Sequence, residues 1–205
     1  MDYFSDEFLA YLELKQDMLF HKIPEKDILF YIEKSLKIGS DRALKIGRRD
    51  IENLYAENDI LIKEEAHDGV FFKVQMRAQF ESDRKGNNLV YLYNQSIIQL
   101  AEENRIDVKE MKRIILAHEF FHYLESKEKT HVYDQFLPIE TTKFLMFSQK
   151  VHIRRTSEIA ANAFAKCLLN LKHLPNFYDY QYLLNSKQIS VNEIEEEYAA
   201  FIALK

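Results

Sequence analysis

Two histidines four residues apart, with a glutamate directly after the first, are the strongest chemical signal in this 205-residue chain. The segment His118-Glu119-Phe120-Phe121-His122 lies within a stretch of helical periodicity. Histidines at this spacing stand one turn apart on one helix face, so both imidazoles can bind a single metal ion. Glu119 lies about 100° around the helix from His118. Its carboxylate can therefore contact a water molecule on the metal and act as a general base without being a ligand.

A third ligand is required, because catalytic zinc is held by three protein ligands and keeps one position open. Segment 157–165 (SEIAANAFA) places Glu158 on a helix of small side chains, which can approach another helix closely. Asn162 follows on the same face and could accept a histidine N–H. The sequence thus predicts His118, His122 and Glu158 as metal ligands, with Asn162 behind one histidine. The alternatives are an accidental H-E-x-x-H match and a Glu158 that only decorates a helix N-terminus, where carboxylates are favoured.

H-E-x-x-H followed on a later helix by E-x-x-A-N-x-F-A resembles the ImmA/IrrE group of bacterial and phage metallopeptidases, within the gluzincin class. The resemblance covers about residues 40–170. It implies a zincin-like fold with Zn²⁺ as cofactor, Glu119 as general base and Glu158 as third ligand. It also implies a regulatory protease that cuts a transcriptional repressor, with the helix-turn-helix protein as a separate chain.

Two departures from the family pattern bear on substrate specificity. Phe120 and Phe121 stand where the family commonly has Leu-Gly, and the interval from His122 to Glu158 leaves room for an extra helix at 139–150. The residue that stabilises the oxyanion stays open among five candidates between the motifs: His131, Tyr133, His152, Arg154 and Arg155.

Two other functions remain alternatives to a zinc-dependent peptidase. One is a non-catalytic metal-binding module for regulation or interaction on the same scaffold. The other is metal-dependent hydrolysis of a non-peptide amide. Glu119 favours an enzyme, because a purely structural metal site needs no general base.

The elements that must position these residues follow from hydrophobic periodicity. Residues 70–80 alternate apolar and polar side chains, which predicts a half-buried strand, and 60–64 and 89–93 predict two more strands of a small meander. Strand 89–93 is a candidate edge for pairing with a substrate, and a central position is the alternative. Asp107 predicts the N-cap of the motif helix, which runs to about 127. The other predicted helices cover 3–20, 26–38, 41–57, 95–103, 139–150, 154–172 and 190–203.

This order predicts an α+β protein whose three-stranded sheet packs on the motif helix, with extra N- and C-terminal helices. Gly39 is expected to end the second helix and Ser40 to cap the third. We therefore divide the chain into an N-terminal helical extension, 1–39, and a zincin-like metallopeptidase domain with C-terminal helices, 40–205.

Composition excludes several other classes. Only four glycines and three prolines are present, so no glycine-rich phosphate loop can be written and an all-β sandwich is disfavoured. The net charge of −5 argues against direct nucleic-acid or anionic-membrane binding. A single cysteine, Cys167, and an N-terminus without a signal-peptide pattern predict a soluble cytoplasmic protein.

Overall fold

The computed structural model describes residues 3–71, 74–83, 85–144 and 147–205. These residues form an α+β fold, as the element order predicts. The helices are α1 (Asp6–Lys15), α2 (Glu25–Ile46), α3 (Ile51–Glu57), α4 (Asn94–Asn104), α5 (Val108–Glu128), α6 (Arg155–Leu169), α7 (Asn176–Asn185) and α8 (Val191–Ile202). The strands are β1 (Ile60–Glu65), β2 (Val70–Phe71), β3 (Val74–Gln75), β4 (Ala78–Ser82), β5 (Asn88–Tyr93), β6 (Ile139–Phe144) and β7 (Phe147–Val151).

The main sheet has three strands in the order β1-β5-β4. β1 pairs with β5 in parallel, and β4 pairs with β5 antiparallel. The expectation of a meander was therefore wrong, because β5 inserts between the two strands that precede it in the chain. β5 is the central strand, so β1 and β4 are the edges of this sheet, and β4 is the edge that lines the cavity described below. The three-stranded sheet itself is confirmed, with β4 packed against α5.

The segment predicted as one strand over 70–80 is divided in the structure, with residues 72 and 73 outside the described part. β2 and β3 form a separate hairpin, closed by a 2.8 Å bond from the N–H of Met76 to the carbonyl of Gly69. Ser96 on α4 holds the bend, because its hydroxyl donates to the Met76 carbonyl and its own carbonyl accepts from Arg77. Side-chain alternation could not predict this bend, since these contacts come from a later helix.

Helix α2 runs without interruption through Gly39 and Ser40, so the predicted helix end and N-cap at these residues were wrong. Gly39 instead allows close packing on α6. A Cβ atom added there would lie 2.0 Å from the carbonyl oxygen of Ala160. Glycine here marks the approach of two backbones rather than the end of a helix. The domain division proposed at residue 39 thus falls inside one helix.

The helix predicted at 139–150 is also wrong. Residues Ile139–Phe144 and Phe147–Val151 form an antiparallel hairpin with an irregular register between Glu140 and Thr142. Two adjacent threonines, with isoleucine and phenylalanine nearby, favour an extended backbone, because β-branched and aromatic side chains fit strands better than helices.

Caps define the ends of several helices. The Asp107 carboxylate accepts the N–H groups of Lys109 and Glu110, as predicted for the start of α5. Ser190 and Glu193 form the predicted capping box of α8. Helix α1 packs on α2, α6 and α8 and buries its apolar side chains completely, so the first helix belongs to the core. Among the described residues, no helix combines the length and apolar character needed to span a bilayer.

Candidate metal centre

Helix α5 carries both histidines on the face that lines a cavity. Nε2 of His118 and Nε2 of His122 lie 3.2 Å apart, one helical turn from each other. Both side chains are about four-fifths buried. The two imidazoles therefore direct the same ring nitrogen to one point, as the four-residue spacing predicts.

Helix α6 brings Glu158 to that point. Its Oε2 lies 3.2 Å from Nε2 of His118 and 3.7 Å from Nε2 of His122. The close approach rests on small residues: Ala160, Ala161 and Ala163 are buried within α6, which packs on both α2 and α5. One ligand atom from each of the three side chains lies within 4.8 Å of the others.

The outer nitrogens of the two imidazoles meet hydrogen-bond acceptors. Nδ1 of His118 lies 3.0 Å from Oδ1 of Asn162, and Nδ1 of His122 lies 3.0 Å from Oε2 of Glu125. Each neutral ring therefore donates its Nδ1 proton and turns the Nε2 lone pair inward. Two lone pairs and a carboxylate then face one another, an arrangement that a cation between them, or a proton on one ring, stabilises. The donor set is compatible with a metal cation.

The pKa shifts follow from this concentration of groups. Desolvation acts to raise the pKa of Glu158, but His122 and His118 outweigh it and hold the pKa well below its usual range. Desolvation acts to lower the pKa of His122, but Glu158 and Glu125 raise it well above its usual value. The site therefore keeps its carboxylate ionised and attracts positive charge.

Glu119 lines the same cavity but lies outside the set of three ligand residues. Desolvation raises its pKa, and the two histidines partly oppose this effect. The backbone of Phe80 on β4 also acts to lower the pKa. A carboxyl group whose pKa is raised toward neutrality beside a metal site is suited to accept and return a proton.

The cavity has a volume of about 500 Å³, and different elements of the fold form its four sides. β4 and the bend before it form one side, and the buried side chains of Leu100, Met111, Ile114 and Ile115 form an apolar side. The first turn of α7 supplies a third side. Glu13 from α1 and Arg155 from α6 supply a charged side beside Glu158.

Glu125 is a site residue that the sequence analysis missed. It is buried and accepts bonds from the backbone N–H of Val132 at 2.7 Å and the hydroxyl of Ser157 at 2.8 Å, besides its contact with His122. Its position three residues after His122 was a usable signal, because residues at this spacing share a helix face. Glu13 was also missed, and no local pattern could indicate that α1 reaches the cavity.

Of the five candidates for stabilising an oxyanion, only Arg155 lines the described cavity. His131 stacks on Tyr133, and Nδ1 of His152 lies 2.8 Å from the Tyr133 carbonyl. Arg154 is exposed. His131, Tyr133 and His152 thus contact one another and do not line the cavity.

The two aromatic residues inside the motif point into the core. Phe120 contacts the rings of Tyr55 and Phe164, and Phe121 packs on Phe164 beneath the guanidinium of Arg42. Both are fully buried, and neither lines the cavity. Their bulk therefore fills the space between α5 and its neighbours and leaves the cleft open.

Comparison with protein-family models, with curated proteins and with solved structures finds no match.

Proposed function

We propose that this protein is a zinc-dependent peptidase, and that its metal ligands are His118, His122 and Glu158. The observation that carries the proposal is the presence in one cavity of three convergent ligand atoms and the separate carboxylate of Glu119. A purely structural zinc site is closed by four protein ligands and needs no base beside it. Three ligands with an adjacent base favour hydrolysis over a non-catalytic metal-binding module.

The roles of the residues follow from their contacts. Zn²⁺ held by such a set lowers the pKa of a water molecule and polarises a carbonyl group. Glu119 removes a proton from the attacking water and returns it to the leaving amine nitrogen. Asn162 and Glu125 fix the orientation of the two imidazoles, so that both Nε2 atoms face the metal position.

The open edge of β4 is suited to hold the peptide in an extended form. The N–H of Tyr93 bonds to the carbonyl of Arg77, and backbone bonding alternates along an antiparallel pair of strands. Every second residue of β4 therefore bonds to β5, and the backbone groups of the residues between them point away from the sheet. The outward backbone groups include those of Ala78 and Phe80, both residues line the cavity, and the Phe80 backbone also interacts with Glu119. A peptide that pairs with this edge brings its backbone past Glu119.

The resemblance to the ImmA/IrrE group narrows the proposal to a regulatory protease with a zincin-like fold, acting in the cytoplasm on a helix-turn-helix repressor. The support is the ligand arrangement together with the E-x-x-A-N segment on α6. The acidic net charge favours a protein partner over direct contact with DNA.

The test combines metal content with a base-deficient variant. Purified protein should bind one equivalent of Zn²⁺, measured by elemental analysis after dialysis. Wild type and Glu119→Gln are then incubated with candidate repressor proteins and with denatured casein. We expect Glu119→Gln to retain zinc and to lose cleavage. Bound zinc with no cleavage by wild type would favour the non-catalytic module, and equal cleavage by both proteins would refute the role of Glu119.

A further inference from the structure

Two arginines line the cavity, and they differ in how many of their donors are used. Arg77 bonds to Asp179 through Nε and Nη2 and to the Ser96 carbonyl through Nη1, so all its donor nitrogens have partners. Arg155 bonds to Glu13 through Nη1 alone. In the part of the chain that the structure describes, Nε and Nη2 of Arg155 have no partner, and the side chain is 38% exposed.

Helix α1 holds Arg155 in place through two contacts. The Arg155 backbone N–H donates to Oδ2 of Asp17 at 3.1 Å, and Nη1 donates to Oε1 of Glu13 at 2.8 Å. Glu13 is 6% exposed and sits on a helix whose neighbouring side chains are in the core. The ion pair therefore rests on a rigid support, which limits the positions that the guanidinium can take.

Arg155 precedes Glu158 by one helical turn on α6, and both side chains line the same cavity. A guanidinium with unused N–H groups beside a metal ligand is placed to bind an oxygen that gains negative charge. No other cation of the cavity wall offers unused arginine or lysine donors within the described residues.

We propose that Arg155 is a catalytic residue that binds the oxygen of the scissile carbonyl, and that Glu13 is the positioning residue that aims it. The inference rests on the proposed peptidase function and adds to it the group that stabilises the oxyanion. It also assigns a function to α1, which lies outside the region of family resemblance.

The step balances without any further reactant. The water oxygen adds to the carbonyl carbon, the C=O π electrons move onto the carbonyl oxygen, and Arg155 donates hydrogen bonds to that oxygen. Glu119 holds the proton removed from water. The C–N bond then breaks, the π bond re-forms, and the proton passes from Glu119 to the amine nitrogen. The first products are a carboxylic acid and an amine, and the proton of the acid then passes to the amine, which leaves a carboxylate and an ammonium group.

Binding of two small probes to zinc-loaded protein tests the proposal without a known substrate. N-phosphoryl-leucinamide carries a tetrahedral anionic group like the oxyanion, whereas acetohydroxamate chelates zinc without that geometry. Arg155→Ala should bind the phosphoryl probe about 100-fold more weakly and bind acetohydroxamate with little change. Arg154→Ala, at the exposed neighbour, is the matched control and should bind both probes as wild type does.

Two further variants separate positioning from folding. Arg155→Lys keeps a cation beside Glu13 but offers a single point of contact, so phosphoryl-probe affinity should fall about 10-fold. Glu13→Ala keeps Arg155 but removes its ion-pair partner. It should lower the affinity for the phosphoryl probe and leave the affinity for acetohydroxamate unchanged. Millimolar guanidinium should restore affinity to Arg155→Ala, a rescue that a structural role would not produce.

The outcomes distinguish this proposal from the proposed function. If zinc and acetohydroxamate bind to wild type and the phosphoryl probe binds equally to Arg155→Ala, the role of Arg155 is refuted and the metal site stands. If wild type binds zinc and acetohydroxamate but not the phosphoryl probe, the role of Arg155 is likewise refuted. If wild type binds no zinc, the proposed function fails, and the role of Arg155 fails with it.

Discussion

Two regions form the cavity by different kinds of contact. The ligand layer consists of α5 and α6, and the outer wall consists of α1, β4 with the bend before it, and α7. In the ligand layer, His118 and Asn162 are 44 residues apart in sequence, and His122 and Glu125 only three. In the outer wall, Arg77 meets Asp179 across 102 residues, and Arg155 of the ligand layer meets Glu13 across 142. The ligands thus depend on two neighbouring helices, whereas the surroundings of a substrate depend on the whole fold.

The largest expected effect is on zinc affinity. Glu158→Ala removes a ligand from the layer. Residues that only support a ligand cost up to about 100-fold in metal affinity when they are mutated, so the loss of a ligand should lower zinc affinity by more than about 100-fold. Glu13→Ala removes a wall carboxylate and should change zinc affinity by less than about threefold. Competition with a fluorescent chelator measures both. Similar losses in the two variants would show that the layer and the wall are not separable.

A second prediction concerns the packing that supports the ligand layer. Gly39→Ala places a Cβ against the Ala160 backbone, so α2 and α6 must move apart, and the free energy of unfolding should fall by about 3 kcal/mol. Zinc affinity should fall as well, because α6 carries Glu158. Urea denaturation measures the first effect. Ser40→Ala, at the next position of the same helix, is the control and should change stability by less than about 0.5 kcal/mol.

A third prediction tests the residue behind His122. Glu125→Ala removes the acceptor of the His122 Nδ1 proton, and zinc affinity should fall by about 10- to 100-fold. Glu128→Ala, one turn later on the exposed surface, should leave zinc affinity unchanged. The comparison uses the same chelator competition. Unchanged affinity in Glu125→Ala would mean that helix α5 alone orients the ring.

The smallest effect concerns the outer wall and pH. Desolvation and the nearby Glu158 raise the pKa of Glu13 to about 7 from an ordinary value of 4.5, while Arg155 and His118 oppose this. A raised pKa in the folded state contributes stability that is complete below about pH 4.5 and is lost as pH rises through 7.

Relative to Glu13→Gln, metal-free wild type should therefore lose about 1 kcal/mol of unfolding free energy between pH 6 and 8. Urea denaturation at the two pH values measures the difference, and groups common to both proteins cancel. Parallel pH profiles for wild type and Glu13→Gln would contradict the raised pKa of Glu13.

The starts of two helices could be predicted from the sequence because their caps depend only on residues within one turn. Asp107 caps α5 because its side chain reaches N–H groups two and three residues away, and the Ser190–Glu193 box works over the same distance. Where another element decides the outcome, local pattern fails. Gly39 looks like a helix end in sequence, but α6 makes it a packing position.

The strand at 70–80 shows the same limit. Its alternation predicts one strand, yet hydrogen bonds between Ser96 and residues Met76 and Arg77 hold a bend before β4. The spacing of the strands along the chain could not predict the order β1-β5-β4 either, because β1 and β5 are distant in sequence and pair only in the folded protein. These contacts decide which strand presents an open edge to the cavity.

The sequence by itself determined the candidate ligands of this protein. Helical spacing places His118 and His122 on one face of α5, and the alanines around Glu158 allow its helix to pack closely. Only the tertiary structure decided what else surrounds them: β4 as the sheet edge at the cavity, and Glu13 holding Arg155. The reason is physical. A helix repeats its geometry every 3.6 residues, so spacing alone brings the two histidines together. A cavity wall consists of segments that are distant in sequence, and these segments come together because they bury apolar side chains in a common core.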